Sequence, residues 1–207
     1  MAVMVPAPVN AVPAGEYVPT ADERIVMHNI GWTGFETLLA VRGDRSRPRF
    51  AYLDGAVELM SPSWNHEIIK KNIGAVLEAY MLELGIAYQG AGSWTLKQNA
   101  KEASLEPDEC YVFSQGQPER PELAIEVVWT SGGLDKLEIY RRLGVPEVWF
   151  WIEGKVTVHV LNAGVYELRD GSACLPAVDL ELVCKMIELP MQSQAVTELR
   201  AILASRR

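Results

Sequence analysis

The sequence predicts an α/β fold in which helices flank a mixed β-sheet. Two segments carry most of this prediction: an amphipathic helical pattern from Ser61 to about Leu84, and a nearly continuous apolar, β-prone run from Leu123 to Val128. The overall order is helix, several strands, helix, strands, which is typical of α/β proteins with a mixed sheet. With 207 residues, the chain has the length of one domain.

The amino-terminal segment is expected to differ from the rest. Residues 1–19 are rich in proline and alanine without apolar periodicity, which indicates a loosely ordered leader, and residues 20–207 are expected to form the single domain. Residues 19–45 are expected to be a short helical lead-in that includes Gly34 to Arg42. Arg45, Arg47 and Arg49 are then expected in a polar loop.

A hairpin and a long helix follow. Asp54-Gly55 between two apolar runs predicts a type I′ turn. Ser61 or Ser63 offers an N-cap for the helix, and Gly85 ends it.

The remaining elements follow from short apolar runs. Strands are predicted at about 86–90, 93–98 and 109–113, and Leu123–Val128 reads as a central strand buried on both faces. The turn Ser131-Gly132-Gly133 leads to a second helix from Leu134 to Leu143. Three further strands are expected at 148–152, 156–161 and 165–168, and a last helix begins at about Ser193.

Composition narrows the classes of protein that fit. No stretch is long and apolar enough to predict a membrane span, and the opening segment lacks the basic region of a signal peptide. Three cysteines without a C-x-x-C pair favour reduced thiols and a cytoplasmic location. The net charge of −8 argues against a broadly basic nucleic-acid-binding protein, although a local basic face would still suffice for DNA.

Three residues form the candidate reactive centre. Glu126 stands inside an apolar strand. Burying an ionised carboxylate there is unfavourable by roughly several kcal/mol unless the carboxylate is paired or binds a cation. Asp108 follows Pro107 just before another strand, and with Glu126 it offers two hard oxygen ligands of the kind Mg²⁺ takes. Lys136 begins the next helix and is expected to reach back over Glu126. The alternatives are an ion pair for Glu126, a Pro-Asp turn for Asp108, and a solvated or Glu126-paired lysine.

The first long helix supplies further candidates. His66 lies near its start, on the face of Ile69 and Ile73, where it is a candidate site residue or else caps and packs the helix. Glu67 and Glu58 are alternative site residues, but Glu67 also has the spacing of a surface pair with Lys71. The following tryptophans are expected in the core or in a dimer interface: Trp32, Trp64, Trp94, Trp129, Trp149 and Trp151.

Four ordered blocks resemble a known family. They are Tyr52–Pro62 with His66 and Glu67, then Glu106–Tyr111, then Ile125–Ser131, then Leu134–Tyr140 with Leu143–Trp149. Over about residues 30 to 190 the chain resembles the Uma-two-type restriction endonucleases of the PD-(D/E)XK nuclease superfamily. The resemblance implies a restriction-endonuclease-like core with Asp108 and Glu126 as metal ligands. It also implies that a residue of the first long helix completes the site, so His66 would position a phosphate or a metal-bound water.

The chain departs from the superfamily pattern at one position. Val128 occupies the place of the lysine two residues after the acid, so Lys136 is the candidate for that role.

The resemblance also implies an activity: hydrolysis of DNA phosphodiesters with Mg²⁺ (or Mn²⁺), with Lys136 acting on the attacking water. A homodimer is expected, because cutting both strands of a duplex calls for two sites. Two other interpretations stay open: a nucleic-acid- or protein-binding module without catalysis, and a structural subunit of a defence or mobile-element assembly.

Overall fold

The computed structural model describes residues 21–206 except 93, 117 and 131, so the leader predicted at 1–19 lies outside the described residues. Helices and strands alternate along this part of the chain, and the strands form two β-sheets. The elements are β1 (Glu23–Met27), α1 (Trp32–Arg42), β2 (Arg49–Leu53), β3 (Ala56–Ser61), α2 (Trp64–Glu83), β4 (Gln89–Gly90), β5 (Leu96–Gln98), β6 (Ala103–Leu105), β7 (Glu109–Val112), β8 (Leu123–Val128), α3 (Lys136–Leu143), β9 (Glu147–Ile152), β10 (Lys155–Asn162), β11 (Val165–Arg169), α4 (Leu180–Ile187) and α5 (Gln192–Ser205).

The larger sheet has six strands in the order β11-β10-β9-β8-β7-β4. Strands β8 and β9 are parallel, whereas the other neighbouring pairs are antiparallel, so this sheet is mixed as the sequence predicted. Strand β8 lies in the interior of the sheet and is buried along almost its whole length. Helices α2, α4 and α5 cover one face, where Ile125 and Val127 pack into the main apolar core.

The smaller sheet is antiparallel, with five strands in the order β1-β3-β2-β6-β5. Its β2–β3 hairpin turns at Asp54-Gly55, whose φ angles of 45° and 79° fit the predicted type I′ turn. Helix α1 packs on one face of this sheet through Phe35. Helix α3 lies between the two sheets, because Ile139 and Tyr140 share a core with Ala51 of β2 and Ala124 of β8.

The amino-terminal lead-in is only partly helical, which corrects the sequence prediction. Residues Glu23–Met27 form β1, paired antiparallel with β3, and helix α1 begins only at Trp32. Arg49 also differs from its prediction, because it is the first residue of β2 and its side chain is buried. Both segments take their conformation from strand partners: β1 from the distant β3, and Arg49 from Met60 in the β2–β3 hairpin.

Other predictions were wrong in smaller ways. The strand expected at 86–90 is confined to Gln89–Gly90, and β6 and α4 were not foreseen.

The tryptophans were expected in the core or in a dimer interface. Trp149 and Trp151 are core residues, and for Trp64 and Trp129, which are 63% and 42% exposed in the single chain, the dimer interface stays a prediction. None of the helices in the described part of the chain is long and apolar enough to cross a lipid bilayer.

The caps of α2 and α3 fix where these helices begin. Ser63 caps α2, its hydroxyl accepting the backbone N–H of His66 at 3.2 Å, and Asp135 caps α3 by accepting the N–H of Glu138 at 3.0 Å. Helix α3 therefore starts at Lys136 and ends at Gly144, which has a φ of 71°. His66 and Lys136 both lie in the first turn of their helices.

Candidate active site

Asp108 and Glu126 are brought together by the pairing of β7 with β8. Glu109 is the partner of Ile125 in this antiparallel ladder. Continuing the register by one position places Asp108, the residue before Glu109, opposite Glu126, the residue after Ile125. The backbone N–H of Val127 donates to Oδ2 of Asp108 at 2.7 Å. The Asp108 carboxylate thus lies against the strand backbone directly beside Glu126.

The Asp108 carboxylate is almost completely buried, with 1% of the residue exposed. Its Oδ1 contacts Nη1 of Arg49 in an ion pair and lies 2.9 Å from Nε2 of His66. Together with the Val127 N–H, these contacts offset the desolvation of the carboxylate. Asp108 is therefore a buried, charged group held from three directions, and the simple turn considered as an alternative does not account for it.

Glu126 is fully buried and is paired within the protein. Nζ of Lys136 lies 2.5 Å from its Oε2, and the hydroxyl of Tyr140 donates to its Oε1. Burial, followed by the charge of Glu126, raises the pKa of Tyr140 well above its ordinary value, so this hydroxyl stays protonated as a donor. Tyr140 lies one helical turn after Lys136, and its part in the site was not predicted from the sequence.

Lys136 reaches back to Glu126 because of the turn before α3. Gly133 has a φ of 97°, a backbone conformation that favours glycine, and a Cβ there would collide with the Glu58 carboxylate. Oε2 of that carboxylate accepts the N–H of Leu134 at 2.8 Å. Glu58 thus faces inward and braces the turn that delivers the lysine.

His66 bridges two carboxylates. Its Nε2 faces Asp108, and its Nδ1 lies 3.1 Å from Oδ2 of Asp22, a residue that the sequence did not single out. Burial raises the pKa of Asp22, but hydrogen bonds from His66 and from the Ser63 N–H outweigh it, so the pKa falls to about 2. The backbone N–H of Asp22 also donates to Thr130 Oγ1 at 2.9 Å. Asp22 therefore links the start of α2 to the loop after β8.

Arg49 is the third residue that sequence reasoning missed, after Tyr140 and Asp22. Its Nη2 donates to Oε1 of Glu67 at 3.0 Å while its Nη1 contacts Asp108. One cleft of the surface is lined by Arg49, Glu58 and Lys136 together. The predicted residues thus lie in two contact groups, Asp108 with His66 and Glu126 with Lys136. Arg49 and Asp22 join the first group, and Tyr140 joins the second.

The donor set fits a divalent metal of the Mg²⁺ or Mn²⁺ type. Asp108 and Glu126 supply hard carboxylate oxygens, and no group of three or more His, Cys, Asp or Glu ligands gathers among the described residues. Mg²⁺ commonly takes one or two protein carboxylates and completes its shell with water and substrate phosphate oxygens. Two carboxylates are consequently a sufficient protein contribution to such a site.

Two other buried glutamates belong to the framework. Glu106 binds Arg42 through two contacts of 2.7 and 2.6 Å and accepts the Thr95 hydroxyl at 2.8 Å. Glu147 accepts hydrogen bonds from four neutral donors. These are Trp149 Nε1 at 2.5 Å, Ser172 Oγ at 2.6 Å, and the N–H groups of Ala173 and Cys174 at 2.7 and 2.9 Å.

Comparison with known proteins agrees with the resemblance noted in the sequence. The chain matches the family model Uma2, described as "Putative restriction endonuclease", over residues 32–192. A solved structure titled a putative nuclease belonging to DUF820, from Anabaena variabilis, is similar at 13% identity and a TM-score of 0.47, covering 78% of this chain and 96% of that one. A search of curated proteins finds no match.

Proposed function

The chain belongs to the Uma2 family, the Uma-two-type restriction endonucleases, and on that premise we propose that it is a metal-dependent endonuclease that hydrolyses DNA phosphodiesters. One observation carries the proposal: Asp108, directly before β7, accepts the N–H of Val127, the residue next to the buried Glu126 of β8, and the Lys136 amine lies against Glu126. The site lies near the carboxyl end of β8, beside its parallel neighbour, where α/β proteins commonly place ligands.

Each residue has a distinct role in this proposal. Asp108 and Glu126 would hold Mg²⁺ or Mn²⁺, with the Val127 carbonyl as a further candidate ligand. The bound metal would supply Lewis-acid stabilisation of negative charge at the phosphate and lower the pKa of the attacking water. Lys136 would orient that water by donating a hydrogen bond, a role that suits an amine whose side chain is 18% exposed at the cleft. His66, held by Asp22, would keep the Asp108 carboxylate oriented.

Nicking of supercoiled plasmid in Mn²⁺ tests the proposal. We expect wild-type protein to nick DNA, and Asp108→Asn and Lys136→Met to lose about a hundredfold or more, the cost of removing a group that acts on the transition state. Asp170→Asn and Lys185→Met alter exposed residues away from the site and serve as matched controls. Equal activity of Asp108→Asn and wild type would overturn the assignment.

A second function is favoured by a specific observation. Both carboxylates already face a cation of the protein, Arg49 for Asp108 and Lys136 for Glu126, as expected of a nucleic-acid- or protein-binding module that hydrolyses nothing. Calorimetric titration with Mg²⁺ or Mn²⁺ separates the two functions. Absence of binding at millimolar metal, with Asp108→Asn titrating identically, would favour the binding module.

The assembly and location of the protein are further parts of the proposal. A homodimer would present two sites to the two strands of a duplex, and the cytoplasm would keep Cys110, Cys174 and Cys184 as the free thiols of the structure. Sedimentation velocity over a hundredfold concentration range tests the dimer, and a monomer at every concentration would contradict it.

A further inference from the structure

Arg49 occupies an unusual position for an arginine. It is the first residue of β2, and its side chain is only 7% exposed. The guanidinium lies between two carboxylates, with Nη1 against Asp108 and Nη2 on Glu67. Nη1 is buried against Asp108, and no other acceptor among the described residues binds it. A guanidinium carries five N–H donors, so Arg49 has further donors for another acceptor.

A cluster of positive charge surrounds Arg49. Glu67 also forms ion pairs with Arg47, whose Nη2 lies at 3.5 Å, and with Lys70, whose Nζ lies at 3.8 Å. Burial, and after it the charge of Arg49, lowers the pKa of Lys70, so these two cations lie close enough to repel each other. Arg47, Arg49 and Lys70 thus lie around Glu67 and Asp108, and the charge of Glu109 also acts on Lys70.

The Asp108 carboxylate cannot accept a metal on Oδ1 while its present partners stay in place. Oδ1 faces both Arg49 and Nε2 of His66, and an oxygen of a carboxylate has two lone pairs. Oδ2 already accepts the Val127 N–H. A divalent cation at either oxygen would also be repelled by the adjacent guanidinium. Metal binding and the Arg49–Asp108 ion pair are therefore in competition.

We propose that Arg49 is a catalytic residue that neutralises Asp108 in the resting site and turns to a phosphate of the DNA backbone when a divalent cation takes its place. This inference rests on the proposed nuclease function. The planar guanidinium suits a phosphate, which it binds through two parallel N–H donors, and Arg47 and Lys70 add positive charge on the same side. Glu67 holds the guanidinium near Asp108 during the exchange, through Nη2.

The test compares Arg49→Gln with Arg42→Gln in the full chain. Arg42 forms the buried pair with Glu106, so its variant reports the general effect of losing a buried arginine–carboxylate pair. Calorimetry with Mn²⁺ alone should give a Kd for Arg49→Gln that is lower by about tenfold or more, because a positive charge beside the metal is removed. Arg49→Lys keeps the charge and should bind Mn²⁺ like wild type.

DNA binding provides the second readout, with Ca²⁺ replacing Mn²⁺ so that binding is followed without cleavage. Arg49→Gln should bind duplex DNA more weakly than wild type, and the slope of log Kobs against log salt should fall by about one, as expected for one lost phosphate contact. Plasmid nicking should fall although the metal binds more tightly. Arg42→Gln should change thermal stability while leaving the Kd for Mn²⁺ and the salt slope unchanged.

The outcomes separate this inference from the function on which it rests. Wild-type protein that binds no Mn²⁺ overturns both. Wild-type protein that binds Mn²⁺ and nicks DNA, with Arg49→Gln showing weaker or unchanged metal affinity, overturns the role of Arg49 alone. If Arg49→Gln does not fold, Arg49→Lys decides: its shorter side chain cannot form the two-pronged contact, so unchanged DNA affinity and nicking would contradict the phosphate contact.

Discussion

Glu126 and Glu147 lie on neighbouring parallel strands and are both completely buried, yet their surroundings differ in kind. Glu147 is opposite Leu123 at the amino end of the pair, where four neutral donors surround it, two of them backbone N–H groups. Glu126 lies further towards the carboxyl end, where its partners are an amine and a phenol on α3. Burial alone therefore does not mark a functional carboxylate.

The partners of the two glutamates tell their roles apart. A carboxylate that accepts hydrogen bonds from fixed backbone groups is bound to the framework, and no other ligand can replace those donors without unfolding the segment. Lys136 reaches Glu126 on a long side chain that is partly exposed at a cleft, so its contact can be exchanged for a metal or substrate. The difference predicts that substitutions at the two positions affect different properties.

The largest expected effect comes from exchanging each glutamate for glutamine. Glu126→Gln should lower plasmid nicking by at least about a hundredfold with little loss of stability, because Tyr140 can still donate to an amide oxygen. Glu147→Gln should retain nicking but lose about 1–3 kcal/mol of unfolding free energy, because its amide NH₂ cannot accept from the N–H groups that the carboxylate satisfies.

Nicking assays at 25 °C and urea unfolding of both variants check this prediction. A Glu147→Gln variant that folds normally but has lost its activity would contradict the assignment of Glu147 to the framework and of Glu126 to the site.

Removal of the amine should affect both activity and stability. Lys136→Met leaves Glu126 as a buried, uncompensated charge and should lower the unfolding free energy by about 3 kcal/mol, the lower end for a buried pair because the lysine is partly exposed. The double variant Glu126→Gln/Lys136→Met should recover most of that loss, since no unpaired charge remains. Urea unfolding of the four proteins forms the cycle, and strictly additive losses would mean that the two residues are not coupled.

A smaller effect is expected at Tyr140. Tyr140→Phe removes the hydrogen bond to Oε1 of Glu126 and should cost about 1.5–3 kcal/mol in unfolding free energy, the usual worth of a hydrogen bond to a charged group. Nicking should persist at a reduced rate, because Lys136 still holds Oε2. Tyr166→Phe, which loses a hydrogen bond to the Val145 carbonyl instead, is the matched control, and it should leave nicking unchanged.

The smallest effect concerns acid. The pKa of Asp22 is lowered from 3.8 to about 2, so its charged form is favoured by folding. Its contribution to stability is complete above about pH 4 and is lost as the pH falls through about 2. Thermal unfolding between pH 2 and pH 5 should therefore show a shallower loss of Tm for Asp22→Asn than for wild type. Parallel curves would show that Asp22 does not carry this acid sensitivity.

The elements that the sequence predicted well are those whose pattern is local. The stripe of α2, the Asp-Gly turn and the buried run of β8 each depend on neighbours a few residues apart, and the structure has all three. Strand β1 depends instead on pairing with β3, more than thirty residues later, and its own residues are half exposed. No local periodicity distinguishes such an edge strand from a helical lead-in.

The site divides in the same way. Glu126 could be singled out because a carboxylate in an apolar strand conflicts with its surroundings. Asp108 and Lys136 followed from their positions near Glu126, and the resemblance favoured them over their ordinary structural roles. Arg49 and Asp22 gave no such signal, because arginine and aspartate are ordinary in the polar segments where they stand. Their importance lies in contacts over 59 and 44 positions of the chain, Arg49 to Asp108 and Asp22 to His66.

The position of Asp22 has a practical consequence for anyone who shortens this protein. The family match begins at residue 32, so trimming to the matched borders would delete Asp22 and all of β1. His66 would lose one of its two anchors, and the loop after β8 would lose its tie to the start of α2. A fragment cut at those borders would thus be unsuitable for judging whether the family is enzymatically active. An inactive fragment could be explained by the loss of the Asp22 contacts alone.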